Sequence, residues 1–165
     1  MTPTVKQALN SVCVWIDSTP ISQTIQGTPW MVPAVQTLHI LAIAALMASM
    51  LMINLRLTGL AGCDQPLARV SARFSPVTWW ALSVLLLSGA VLIVGEPARV
   101  LKNNIFQIKM LLVIVAIIFT LIVAVPLKRN SLYWDNRGNA ATIIALLSAS
   151  LWICIIFAGR WIAYF

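Results

Sequence analysis

Apolar residues fill four long stretches of this chain, at about residues 32–57, 76–94, 104–127 and 139–163, with polar residues and prolines gathered between them. Each is close to the roughly 20 helical residues that cross a hydrocarbon core. Helix punctuation fits these limits. Pro33 suits a first turn, Ser75 and Pro76 read as N-cap and first helical residue, and Asn139 reads as the cap of the last span. Gly95 followed by Pro97 ends the second stretch, and Pro126 stands near the end of the third. The expected fold is all-α, an integral membrane four-helix bundle forming one domain over residues 1–165.

The region before the first span, residues 1–28, has a different pattern. Val5, Leu9, Val12 and Ile16 recur on one helical face, while Lys6, Gln7, Asn10 and Asp17 lie elsewhere. That pattern predicts an N-terminal amphipathic helix on the membrane interface, with Trp15 as an anchor. A helix packed across the bundle's own loops satisfies it equally. The first connection repeats the device: Asp64 reads as the cap of a short helix whose Leu67, Val70 and Phe74 share a face, with Arg69 and Arg73 turned to water or headgroups. Small residues suggest packing faces, Ala141, Ala145 and Ala149 in the last span and Ala44 and Ala48 in the first. Carried onward through Ile153 and Ile156, the last stripe brings Arg160 to the inward face.

Four spans place both termini and the middle connection on one side. The first and third connections carry six cations, Arg56, Arg69, Arg73, Lys128, Arg129 and Arg137, against three on the other side, Lys6, Arg99 and Lys102. The positive-inside rule then puts both termini outside, periplasmic in a bacterial inner membrane. Aromatic residues mark both boundaries, Trp30, Trp161 and Tyr164 at the outer face and Trp79, Trp80, Tyr133 and Trp134 at the inner one.

Composition removes several function classes. The chain is 61% hydrophobic and 9% charged, against roughly 45–50% and 25% in soluble domains. Its net charge of +7 comes from residues at the ends of apolar runs, which suits anionic lipid and not nucleic acid. With four spans in 165 residues, no separate soluble catalytic domain is expected. The N-terminus lacks a cleavable-signal pattern, so Met1 onward reads as mature protein. Cys13, Cys63 and Cys154 form no CxxC pair, which argues against a disulfide framework or zinc site. G-x-S-x-G, H-E-x-x-H and phosphate-loop motifs are absent, and the chain has only four acidic residues, so a hydrolase is not expected.

Candidate chemistry gathers near the outer face. His39, Lys109 and Arg160 interrupt three different apolar stretches. His39 falls about 9 Å past Pro33 and Lys109 about 8 Å past Asn104 at the helical rise, and Arg160 lies a turn before the end of its span. Gln36 and Gln107 add polar groups at that level, and Glu96 offers a counter-charge. The opposite half shows no comparable set. Ionisable groups inside a bilayer are costly and usually mark a cavity, a ligand or a partner. Lys109 and Arg160 can alternatively snorkel to headgroups, which the shorter His39 cannot do. One histidine excludes bis-histidine haem ligation within one protomer; a His39 and Met110 pair could hold haem or copper. The cations alone suit a quinone oxygen, a carboxylate or a lipid headgroup.

Three segments carry a resemblance. The run Thr37, Leu38, His39, Ile40, Leu41, Ala42 resembles the opening helix of the copper-resistance protein D group and of related uncharacterised bacterial inner-membrane families. The run Phe106, Gln107, Ile108, Lys109, Met110, Leu111, Leu112 resembles their later helix, where a lysine precedes a leucine-rich run. The run Asn54, Leu55, Arg56, Leu57, Thr58, Gly59, Leu60 is similar to the end of the first span in the uncharacterised relatives. This resemblance implies a bacterial inner-membrane bundle with His39 and Lys109 as functional positions, and copper handling for its better-known branch.

The expected function is a membrane component of a redox or copper-related system that binds a metal, haem or quinone-like ligand near the periplasmic face. Its partners would be the bilayer and another membrane or periplasmic protein. The alternative is a non-catalytic anchor or assembly subunit of a larger membrane complex. Solute transport is disfavoured, because no span is broken at its middle and no internal repeat is apparent.

Overall fold

A computed structural model describes the backbone of residues 3–61, 64–129 and 138–161, and their side chains except those of residues 3–6, 8 and 123–129. Cys63, Tyr133, Trp134, Asp135, Arg137 and Tyr164 lie outside the described residues, as do the side chains of Val5, Lys6, Pro126, Lys128 and Arg129. The described chain forms α1 (Pro3–Asp17), α2 (Pro20–Gln26), α3 (Met31–Leu57), α4 (Leu67–Gly95), α5 (Pro97–Leu101), α6 (Asn104–Arg129) and α7 (Gly138–Trp161), and no strand. Helices α3, α4, α6 and α7 are long and apolar enough to cross a membrane. The protein is an all-helical integral membrane bundle. In hydrocarbon the backbone must satisfy its own hydrogen bonds, and a helix does so within one segment.

The strongest pairing is α3 against α4; α6 leans chiefly on α7, which packs in turn on α3. Leu46, Met50, Ala81, Leu82, Ala116, Trp152 and Ile155 form the central core, drawn from all four spans. A second cluster joins Leu57, Leu67, Ala141 and Ala145.

Three expectations are corrected. First, Ser75 and Pro76 do not begin a helix. α4 runs unbroken from Leu67 to Gly95 with Pro76 inside it, its N-cap is Pro66, and Asp64 lies in the turn before it. An internal proline removes one helical hydrogen bond. Burial of Leu67, 1% exposed against Leu57, Ala141 and Ala145, holds the preceding turns in line. Arg69 and Arg73 are exposed as expected, with the Arg73 guanidinium 5.7 Å from the Phe74 ring centroid.

Second, the small-residue stripes are only partly the packing faces. On α7 the buried positions are Ala141, Ala145, Ser148, Trp152 and Ile155, alternating steps of four and three. Repeated steps of four drift about 40° each around a helix of 3.6 residues per turn. The continuation through Ala149 therefore leaves the seam, Ile153 is 46% exposed, and Arg160 is exposed. The seam itself leads to Gly159. On α3 likewise Ala42, Leu46, Ser49 and Met50 are buried, while Ala44 and Ala48 face outward. Third, α7 begins at Gly138, so Asn139 sits inside its first turn and does not precede it.

The N-terminal helices close one end of the bundle. Cys13 is buried, and its thiol points at the Pro97 carbonyl at 3.7 Å, which lays α1 across α5. Thr19 caps α2 by accepting from the Ser22 backbone N–H. Ser22 is fully buried, and its hydroxyl donates to the Val94 carbonyl at 2.7 Å, one of the acceptors left over at the end of α4. Ile25 packs onto Gly95. The helix across the bundle's own loops is thus the observed arrangement, with Val12, Val14 and Trp15 left exposed at its outer side. The opposite end of α3 closes at Gly59, whose φ of +72° is the left-handed conformation that glycine adopts without penalty.

A Cβ at Gly95 would stand 3.1 Å from Ile25 Cγ2 and 3.4 Å from Val32 Cγ2. Gly95→Val is expected to cost about 1–3 kcal/mol by overpacking this joint. The measurement is thermal unfolding in detergent, with Gly138→Ala, which meets open space, as the control.

Candidate functional site

Histidine 39 lies two turns into α3 and faces α4. Its Nδ1 is 2.7 Å from Ser88 Oγ, and its Cε1 would lie 3.7 Å from a Cβ on Gly89. Ser88 is itself buried, and its hydroxyl lies 2.6 Å from the Val84 carbonyl one turn earlier on α4. A hydroxyl has one proton to give. With that proton on the Val84 carbonyl, Ser88 accepts from the imidazole, so Nδ1 carries hydrogen and the neutral ring presents a bare lone pair at Nε2. Holding one ring nitrogen so that the other is available is also how histidine is oriented as a ligand.

Lysine 109 approaches from the other side of the bundle. Its side chain lies along Gly159 of α7, where an added Cβ would come within 3.3 Å of Nζ and 3.5 Å of Cε. The side chain is half-buried, and its charge lies within Coulombic range of His39. It faces a neighbouring helix. No acidic group among the described residues pairs with it. Helices α3, α4, α6 and α7 each supply one part of this layer: His39, Ser88, Lys109 and Gly159.

The other predicted residues lie elsewhere. Arg160 is exposed, on the outward side of α7 next to Gly159. Glu96 is joined to Arg99 at 2.9 Å on the surface, so the counter-charge expected for the trio is engaged within its own turn. Gln36 is exposed on a shallow groove with Glu96 and Arg99. Gln107 donates to the Leu101 carbonyl at 3.2 Å and ties α6 to the end of α5. Met110 is 36% exposed, because one step along a helix turns a side chain about 100° away from Lys109. The described residues contain no cluster of three His, Cys, Asp or Glu able to hold a metal ion.

Sequence reasoning missed Ser88 and Gly159. Ser88 lies in an apolar run that also contains Ser83, and nothing local distinguishes the serine that meets His39. It also missed a polar set in the far half of the bundle, where Asn54, Ser71, Thr78 and Ser148 are all buried. Their signal was present, since each is a polar residue on the core side of an apolar span, but uncharged side chains drew no attention beside three ionisable ones.

Ser88→Ala is expected to leave Nδ1 without its partner and to destabilise the protein by about 1–3 kcal/mol. The chain has a single histidine, so imidazole ¹⁵N shifts report it unambiguously. In the wild type the neutral ring is expected to carry its proton on Nδ1, and in Ser88→Ala that preference should disappear.

Comparison with curated proteins and with solved structures returned no match. A family match extends over residues 8–165, from within α1 through all four spans. The chain accordingly belongs to DUF6644, a family of unknown function.

Proposed function

We propose that this protein is a binding component of a membrane redox system, taking a quinone-like ligand through its oxygen atoms at the level of His39 and Lys109. The observation that carries this reading is the half-buried Lys109 ammonium, without an acidic partner among the described residues, facing the same layer as a histidine held by Ser88. An intramembrane cation in that position favours an oxygen acceptor, and the Nε2 lone pair can receive the hydrogen of a quinol hydroxyl. The six-to-three cation bias supports placing this end of the bundle on the periplasmic side of a bacterial inner membrane.

Haem or copper is supported less well. His39 offers one ligand, and the outward turn of Met110 means that a second would come from another protein. The copper-handling role implied by the resemblance to the copper-resistance protein D group would take that form. An anchor or assembly role has one observation in its favour: only 6% of the α6 span is buried, against 22–28% of the other three, which leaves an apolar helix face open to lipid or to a membrane partner.

The test is protein purified in mild detergent and analysed by organic extraction, visible absorption and metal content. Quinone is expected at close to one per chain, with at least a tenfold loss in His39→Ala and in Lys109→Met, the latter keeping stem volume without charge. Quinone retained equally by both variants would sink the assignment. A haem or copper signal lost in His39→Ala would transfer it to the metal reading, and an empty protein with a stoichiometric membrane partner would transfer it to the anchor reading.

A further inference from the structure

The four spans line a partly open pocket of about 50 Å³ in the half of the bundle away from His39. Every span contributes a polar group to its lining: Asn54 from α3, Ser71 and Thr78 from α4, Thr120 from α6 and Ser148 from α7. The remaining wall is apolar, including Met50, Trp79 and Phe119, and no charged side chain lines it among the described residues. This cavity is separate from the layer described above. Leu46 lies between His39 and Met50 on α3, Ala116 between Lys109 and Thr120 on α6, and Trp152 between Ser148 and Gly159 on α7. All three belong to the central core, with exposures of 2%, 0% and 5%.

Hydrogen-bond accounting at this cavity does not close with protein atoms alone. Thr78 returns its hydroxyl to the Phe74 carbonyl at 3.1 Å. Thr120 Oγ1 is sealed from the exterior and has no hydrogen-bond partner among the described residues. Asn54 is 7% exposed, and its carboxamide makes no hydrogen bond among the described residues. Buried polar groups in folded proteins are nearly always paired, with protein or with ordered water, because an orphan loses its solvation and gains nothing. Thr120 Oγ1 is such an orphan, and together with the unengaged Asn54 carboxamide on the facing helix it calls for a third party.

We propose that this pocket is a second binding site, for small hydrogen-bonding molecules, and is occupied by ordered water. At roughly 30 Å³ per molecule in the liquid the space admits about one or two waters. The lining gives them what they need. Asn54 supplies two donors and an acceptor, and the Thr120 and Ser148 hydroxyls each donate and accept. The pocket's volume suits water better than a quinone ring or a lipid headgroup. The far half of the bundle thereby carries a hydrated neutral pocket, divided by the Leu46, Ala116 and Trp152 layer from the charged level at the other end.

The experiment uses the full chain in lipid nanodiscs with selectively ¹⁵N-labelled asparagine, the Asn54 side-chain amide being assigned by its loss in Asn54→Leu. Magnetisation transfer from water to that amide is expected, together with a lower melting temperature in Thr120→Val, which keeps side-chain shape and deletes the hydroxyl bonded to water. No water contact at the Asn54 amide overturns the proposal. So does a melting temperature raised by Thr120→Val, because removing a dry orphan hydroxyl relieves an uncompensated burial and deletes no bond.

Discussion

Hydrocarbon supplies no hydrogen-bond partner, and that single constraint organises this protein from backbone to binding site. Each span answers it first as a helix, which spends its N–H and C=O groups internally. Several serines and threonines in the spans answer it by turning their hydroxyls back onto carbonyls three or four residues earlier, as Ser49, Thr78, Ser83 and Ser88 do. Where a helix ends, another segment must serve. Ser22 of α2 takes up the Val94 carbonyl, and Gln107 of α6 takes up that of Leu101, so the short helices at this end act as hydrogen-bonding caps as well as apolar lids.

The same constraint gives His39 its orientation. Ser88 Oγ lies within hydrogen-bonding distance of both His39 Nδ1 and the Val84 carbonyl, so the imidazole is tied through one hydroxyl to the backbone of α4. A rigid α3 and α4 pair carries that line, since these helices make the most extensive contact in the bundle. Lys109 depends on another feature, the absence of a side chain at Gly159, which lets α7 accept the ammonium-bearing stem against its backbone. Lys109 is thereby kept against the backbone of a neighbouring helix.

Buried and half-buried polarity among the described residues is therefore arranged in two levels, His39, Ser88 and Lys109 towards the capped end and Asn54, Ser71, Thr78 and Ser148 in the far half, with tightly packed apolar residues between them. The dividing core draws one or more residues from every span, and Ala116 is its most enclosed member. A small residue at that position allows α6 to approach the other helices at one level, although the rest of its span remains largely open. The openness of α6 and the closeness at Ala116 together make this helix the least constrained of the four.

How much of this was legible beforehand varies from residue to residue, for definite reasons. The four spans, the N-terminal helix and the depth of His39 and Lys109 follow from the sequence, because span length, helical rise and apolar composition are properties of one segment at a time. Inward and outward assignments were less secure. Ala44, Ala48 and Arg160 looked inward on a step of four, but the buried seam alternates threes and fours to stay against its neighbours, and only packing shows where it runs. Pro76 read as a helix start because its ring forbids a hydrogen bond locally, whereas burial of Leu67 on two other helices keeps the turns before it helical. The sequence alone determined that a histidine and a lysine would lie at one depth in a membrane. Tertiary structure decided that Ser88 and Gly159 receive them, that Glu96 and Met110 do not, and that uncharged residues in the far half converge on a cavity, because such meetings join helices whose relative rotation no local pattern encodes.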